Sequence, residues 1–121
     1  MKVAKLYSFN DIRIEDIPVP QVGPRDALIR TKACGICSGD VMPWYIEKKA
    51  TLVLGHEPVG EIVELGKGLN LSLVTRYSSL SVGDRVFVHH HAPCLNCKYC
   101  RRGDYVQCET WRNTNIIPGG I

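Results

Sequence analysis

Four cysteines crowd one short stretch of this chain, spaced Cys94-x2-Cys97-x2-Cys100-x7-Cys108. Thiolate sulfur holds zinc at ~2.3 Å, and the ion has no geometric preference of its own, so one loop wrapped around it can supply a closed tetrahedral set. The two-residue spacers let neighbouring sulfurs converge, and the longer last spacer returns the chain to close the tetrahedron. Between Pro93 and Glu109 the remaining residues, among them Asn96, Lys98, Tyr99, Arg101, Arg102, Gly103, Asp104 and Tyr105, show little apolar periodicity. Metal would therefore replace a missing core there. Lys98, Arg101 and Arg102 would offset the negative charge of a zinc ion bearing four thiolates. Two disulfides or another metal are the alternatives. Nothing at Met1-Lys2-Val3-Ala4-Lys5 resembles a signal peptide, and a reducing compartment disfavours disulfides. Rubredoxin-type iron uses two separated Cys-x-x-Cys pairs, which this clustered spacing does not match.

A second group of reactive residues lies upstream, in Cys34-Gly35-Ile36-Cys37-Ser38-Gly39-Asp40 and Gly55-His56-Glu57. Taken alone, neither segment is specific. Cys-Gly-x-Cys suits a thioredoxin-like redox pair only at a helix start in a βαβ setting, and Pro43 among short strands disfavours that. A lone histidine such as His56 is more often a hydrogen-bonded or surface residue than a ligand. His89-His90-His91 follows a strong strand, and strand alternation would set His90 on the face opposite His89 and His91.

The elements that must position these groups read as short strands parted by turns. Val3–Tyr7 and Ile12–Asp16 alternate around a turn at Asn10-Asp11, and Pro18, Pro20, Gly23 and Pro24 make an extended connector. Residues 27–33 form a strand ending at Cys34-Gly35, and residues 59–65 form another stopped by Gly66 and Gly68. Ser81-Val82-Gly83-Asp84 is a turn feeding a strand at 85–88. The best helical stretch, 38–45, is a turn or two at most because Pro43 interrupts it. Gly66-Lys67-Gly68 is a weak echo of a dinucleotide fingerprint. Leu71 stands where its third glycine belongs, and no helix completes a βαβ unit, so it reads as a turn.

Many short strands with glycine turns indicate a barrel or sandwich. The 121 residues suffice for one domain. The net charge of +3 is too small for a nucleic-acid surface, and no apolar run approaches the ~20 residues that span a bilayer.

In combination, these segments resemble the zinc-dependent medium-chain alcohol and polyol dehydrogenases, specifically their GroES-like catalytic domain. The likeness rests on Cys34-Gly35-Ile36-Cys37-x-x-Asp40, Gly55-His56-Glu57, Val59-Gly60-Glu61-Ile62-Val63, Val82-Gly83-Asp84-Arg85-Val86 and the four-cysteine lobe, in the family's order. It implies a mainly β fold: a GroES-like, partly open β-barrel with a zinc-binding lobe and little helix. Cys37 and His56 would bind a catalytic zinc, Glu57 would lie beside it or join its ligands, and Asp40 would orient the histidine. Cys94, Cys97, Cys100 and Cys108 would hold a structural zinc in a lobe at 93–109. Cys34 is left over, as a small buried residue at a strand end. One of His90 or His91 would border the substrate pocket.

The implied chemistry is oxidation of an alcohol or polyol to a ketone or aldehyde, zinc acting as a Lewis acid and NAD or NADP accepting the hydride. The implied setting is cytoplasmic, without nucleic-acid or membrane partners, and unpaired strand edges would favour a homo-oligomer. Gly39 stands where the family's serine or threonine relay usually lies, so Ser38, Glu57, a histidine or water would carry the proton. The segment from Gly68 to Val82 is longer than usual, with Leu69, Leu71, Leu73 and Val74 set to pack on a neighbour or edge a cleft. By length, residues 1–121 are expected to be a catalytic domain incomplete at its C-terminus, without a nucleotide-binding domain and inactive alone. A non-catalytic zinc-binding or interaction module with the same fold is the alternative.

Overall fold

A computed structural model describes residues 1–68, 80–113 and 116–120. The alternating stretches near the N-terminus form a hairpin: β1 (Lys2–Ser8) runs antiparallel to β2 (Asp11–Asp16), in register from Lys2 opposite Asp16 to Leu6 opposite Ile12, with a shift before Ser8 meets Asp11. Val3, Ala4 and Leu6 of β1 are buried. Their partners behave differently, since Ile12 and Ile14 remain 54% and 67% exposed. Apolar alternation in β2 therefore specified a strand but not burial, because β2 is the edge of its sheet. On the other side of β1 lies β4 (Leu52–Val53), which the sequence pattern did not suggest.

The second sheet places β5 (Pro58–Leu65) between β3 (Ala27–Cys34) and β6 (Arg85–Phe87), all antiparallel. Pro58, Gly60 and Ile62 of β5 point to the interior, as period two requires. Gly60 lies so close to β3 that a Cβ there would sit 2.4 Å from the Arg30 carbonyl oxygen. The expected turn at 81–84 is present. The Asp84 amide donates to the Ser81 carbonyl (3.1 Å), the Ser81 amide to Asp84 Oδ2 (2.8 Å), and Gly83 takes φ +96°. The described strands thus form two three-stranded sheets rather than a closed ring. The molecule is mainly β, with little helix.

Gly66-Lys67-Gly68 is a turn, as expected. It docks on the proline-rich connector, the Gly66 amide donating to the Asp26 carbonyl (2.8 Å) and the Gly68 amide to that of Pro24 (2.7 Å). Leu69, Leu71, Leu73 and Val74 lie outside the described residues.

The helical stretch differs from expectation in one respect. A 3-10 turn spans Ser38–Val41, and Pro43 then opens α1 (Pro43–Ile46) instead of interrupting it. Proline suits the first helical position, where its missing N–H would have no intrahelical partner. Ile46 carries α1 into the core at 3% exposure. A second short helix, α2 (Glu109–Arg112), follows Cys108 directly.

Because the Gly60 position has no room for a methyl group, Gly60→Ala is expected to part β3 from β5 and lower unfolding stability by about 1–3 kcal/mol. Chemical denaturation measures this, and an unchanged midpoint would mean that the strands pack more loosely than described.

Candidate metal centres

The last cysteine cluster is assembled by consecutive tight turns. The Cys97 carbonyl accepts from Arg101 N–H, and that of Cys100 accepts from Gly103, which takes φ +83° to end the 3-10 turn Cys100–Arg102. A second such turn, Tyr105–Gln107, delivers Cys108. All four sulfurs fall within 4.8 Å of one another. Cys100 Sγ lies 3.9 Å from Cys94 Sγ and 3.6 Å from Cys97 Sγ, far from the ~2.05 Å of a disulfide. Four sulfurs at ~2.3 Å from a central zinc would be about 3.8 Å apart, so the donor set fits that ion. Cys100 and Cys108 are buried and Cys94 is exposed.

Backbone donors set the acidity of this cluster. The Cys94 amide donates to Cys108 Sγ (3.4 Å) and pulls that thiol down to about 6, with the Trp111 amide assisting. The amides of Asn96 and Cys97 lower Cys94. Burial has the opposite effect on Cys100 and, with the neighbouring sulfurs, pushes it up to about 12. Without a cation the cluster is a mixture of thiol and thiolate; a bound divalent ion would strip the remaining protons. Lys98 lies over the Tyr99 ring and Arg101 donates to Asn96 Oδ1, so their charges screen the lobe from the periphery.

The second cluster depends on strand pairing. Cys34, the last residue of β3, is opposite Pro58, the first of β5. This register sets the loop after β3 against the residues before β5. The Gly35 amide donates to the Glu57 carbonyl (3.1 Å). The donor atoms of Cys37, His56 and Glu57 come within 4.8 Å of one another, each residue half-buried. One thiolate, one imidazole and one carboxylate match the three-ligand sets of open zinc sites, leaving a position for water or substrate. Asp40 braces the group. Its Oδ2 accepts from the Cys37 amide (3.0 Å) and its Oδ1 lies 3.6 Å from His56 Nδ1, an electrostatic contact beyond hydrogen-bond length.

The other flagged residues fall out differently. Ser38 is exposed on the turn after Cys37. Cys34 is half-buried, not buried, and belongs to neither cluster; its strand end stays open to solvent. At Gly39 a Cβ would lie 3.0 Å from Tyr45 Cε1 and 3.8 Å from Cys37 Sγ, so the Tyr45 ring fills the space a side chain would use. Glu61 and Arg85 are cross-strand partners, and Asp84 closes its turn.

The histidine tract overturns the alternation argument. β6 ends at Phe87, so the tract is not a strand, and the His89 and His90 rings stack with planes 11° apart. Of the two candidates for the pocket border, His90 is the one beside the second cluster, its ring centroid 4.8 Å from that of His56. Burial, then the neighbouring imidazoles, lower the His90 pKa. Sequence reasoning also missed Tyr45 and Trp111, because each lies on a single-turn helix too short to show a pattern of its own.

Two substitutions separate the clusters. Cys100→Ser is expected to release roughly one zinc per chain and lower the melting temperature, measured by metal analysis and calorimetry. At Gly35 a Cβ would lie 2.5 Å from Glu57 Oε2. Gly35→Ala should therefore displace that carboxylate and weaken second-cluster metal binding about tenfold, with circular dichroism unchanged.

The alcohol dehydrogenase GroES-like domain family matches residues 23–121. Among curated relatives, sorbitol dehydrogenase of Bombyx mori is 38% identical over 98% of this chain and 34% of its own length. L-threonine 3-dehydrogenase of Rhizobium etli (strain CIAT 652) is 44% identical over 84% of the chain and 28% of its own. Among solved structures, alcohol dehydrogenase TADH from Thermus sp. ATN1 superposes with a TM-score of 0.70 at 32% identity, covering 90% of this chain and 30% of that one. The protein called AibC reaches a TM-score of 0.77 at 30% identity, with 99% and 34% covered. The chain thus spans about a third of the relatives it matches. With the fold and both donor clusters in place, the chain belongs to the alcohol dehydrogenase GroES-like domain family.

Proposed function

We propose that these residues form the zinc-carrying catalytic domain of a dehydrogenase that converts an alcohol or polyol into a ketone or aldehyde, with hydride passing to NAD or NADP. The reading is carried by the convergence of Cys37, His56 and Glu57 donors beside the ends of β3 and β5. Cys94, Cys97, Cys100 and Cys108 hold a structural zinc in the lobe at 93–109. Cys37 and His56, with Glu57 at hand, hold the catalytic one. Zinc bound there supplies Lewis-acid polarisation of the substrate oxygen.

This chain's own residues do the positioning. Asp40 ties the Cys37 backbone to the His56 ring, which fixes the imidazole's orientation. Gly35 leaves room for the Glu57 carboxylate to face the cluster. With no hydroxyl at position 39, proton movement to solvent falls to the Glu57 carboxylate or to Ser38 on the exposed turn. Gly66-Lys67-Gly68 is committed to a turn against the connector and is not read as a nicotinamide-cofactor site. Support for hydride chemistry comes from the relatives, and a Sinorhizobium meliloti 1021 structural neighbour was solved with NADP bound.

Metal analysis after dialysis should find two zinc ions per chain in the parent and only the lobe's ion in His56→Ala. Full metal retention in that variant would defeat the assignment. The 121-residue polypeptide alone is expected to give no detectable reduction of NAD or NADP with alcohols, polyols or threonine.

A further inference from the structure

The two donor clusters are joined by an unbroken run of ring contacts. His56 meets the His90 ring edge-on, at 4.8 Å and 68°. His90 lies 4.2 Å from His91 and 5.3 Å from His89, stacked on the latter. Both of those rings lie against Trp111, His89 at 5.6 Å and His91 at 5.7 Å with planes 26° apart. Apart from the closer His90–His91 pair, these separations are within the range in which aromatic rings attract one another through offset and edge-on geometry. Trp111 belongs to α2, and α2 is anchored on the lobe: its first turn closes with the Arg112 amide donating to the Cys108 carbonyl (3.1 Å).

We propose that Trp111 is a positioning residue for the second metal centre, transmitting the closed shape of the four-cysteine lobe through His89, His91 and His90 to the ring of His56. A metal-binding imidazole works only when its ring is held at one angle, and His56 has two restraints. Asp40 acts at Nδ1 from one element, and the His90 ring acts on its face or edge from another. The His90 ring lies beyond the end of β6. Among its contacts are the His89 and His91 rings, and both of those lie against Trp111. Metal held by Cys94, Cys97, Cys100 and Cys108 would therefore do more than stabilise the lobe, since Cys108 leads directly into the helix that carries the far end of this stack.

The inference rests on the second cluster binding metal, as proposed above. The test is cobalt(II) titration of the whole chain, in which the four-thiolate and one-thiolate sites give separable charge-transfer bands. Trp111→Ala is expected to weaken cobalt binding at the second cluster about tenfold and to shift its ligand-field band, while lobe affinity stays unchanged. Trp111→Phe, which keeps a flat ring, should restore most of the parent behaviour, and His91→Ala should reproduce the second-cluster loss from within the tract. Second-cluster affinity within about twofold of the parent in Trp111→Ala would overturn the inference. So would an equal loss at both clusters, which would make Trp111 a residue of the lobe's fold alone. A parent that took up cobalt only in the lobe would instead sink the reading of the second cluster itself, and this inference with it.

Discussion

The site depends above all on the antiparallel pairing of β3 with β5, whose register shifts twice before Cys34 comes opposite Pro58. With Cys34 opposite Pro58, the loop bearing Cys37 and Asp40 faces the residues bearing His56 and Glu57. A slip of one residue would turn every side chain of β5 to the other face and carry His56 away from Cys37. The pairing can be this close because Gly60 has no side chain where β3's backbone passes. Gly35 plays the matching part at the end of the strand, where the Glu57 carboxylate occupies the space a side chain would take. Packing and chemistry are set by the same two strands.

Elsewhere the apolar core is thin. The buried aliphatic side chains among the described residues are Val3, Ala4, Leu6, Ile46 and Ile62, and the lobe contributes only the sulfurs of Cys100 and Cys108. Those sulfurs are buried against one another, and their proton affinities are driven apart by amide donors at Cys108 and by burial at Cys100. A cation within such a cluster would stabilise it and would let a lobe without hydrophobic periodicity keep one shape. The lobe in turn presents Trp111 to the histidine tract, so its order has a consequence outside its own boundaries.

Much of this was legible beforehand, for a physical reason in each case. The hairpin at 2–16, the strands at 27–34 and 58–65, and the turn at 81–84 follow from alternation and turn chemistry acting over a few residues. The lobe was legible because two-residue spacers constrain sulfurs that are already neighbours. What escaped was set by distant partners. The two-residue β4 exists because β1 offers it an edge. Ile12 and Ile14 are exposed although their partners Leu6 and Ala4 are buried, because β2 is the edge strand of its sheet. Pro43 starts α1 because the preceding 3-10 turn leaves the chain aimed that way.

The sequence by itself determined the donors, their order, and the local turns that gather Cys94, Cys97, Cys100 and Cys108. Bond geometry over short spacers leaves those four sulfurs few other arrangements. Only the tertiary structure decided that Cys37, His56 and Glu57 meet, that Asp40 braces them, that the Tyr45 ring takes the space at Gly39, and that His90 lies beside His56. The meetings of Cys37 with His56 and Glu57, of Asp40 with His56 and of His56 with His90 join residues far apart in the chain, and a long-range contact is fixed by strand register and packing, not by spacing.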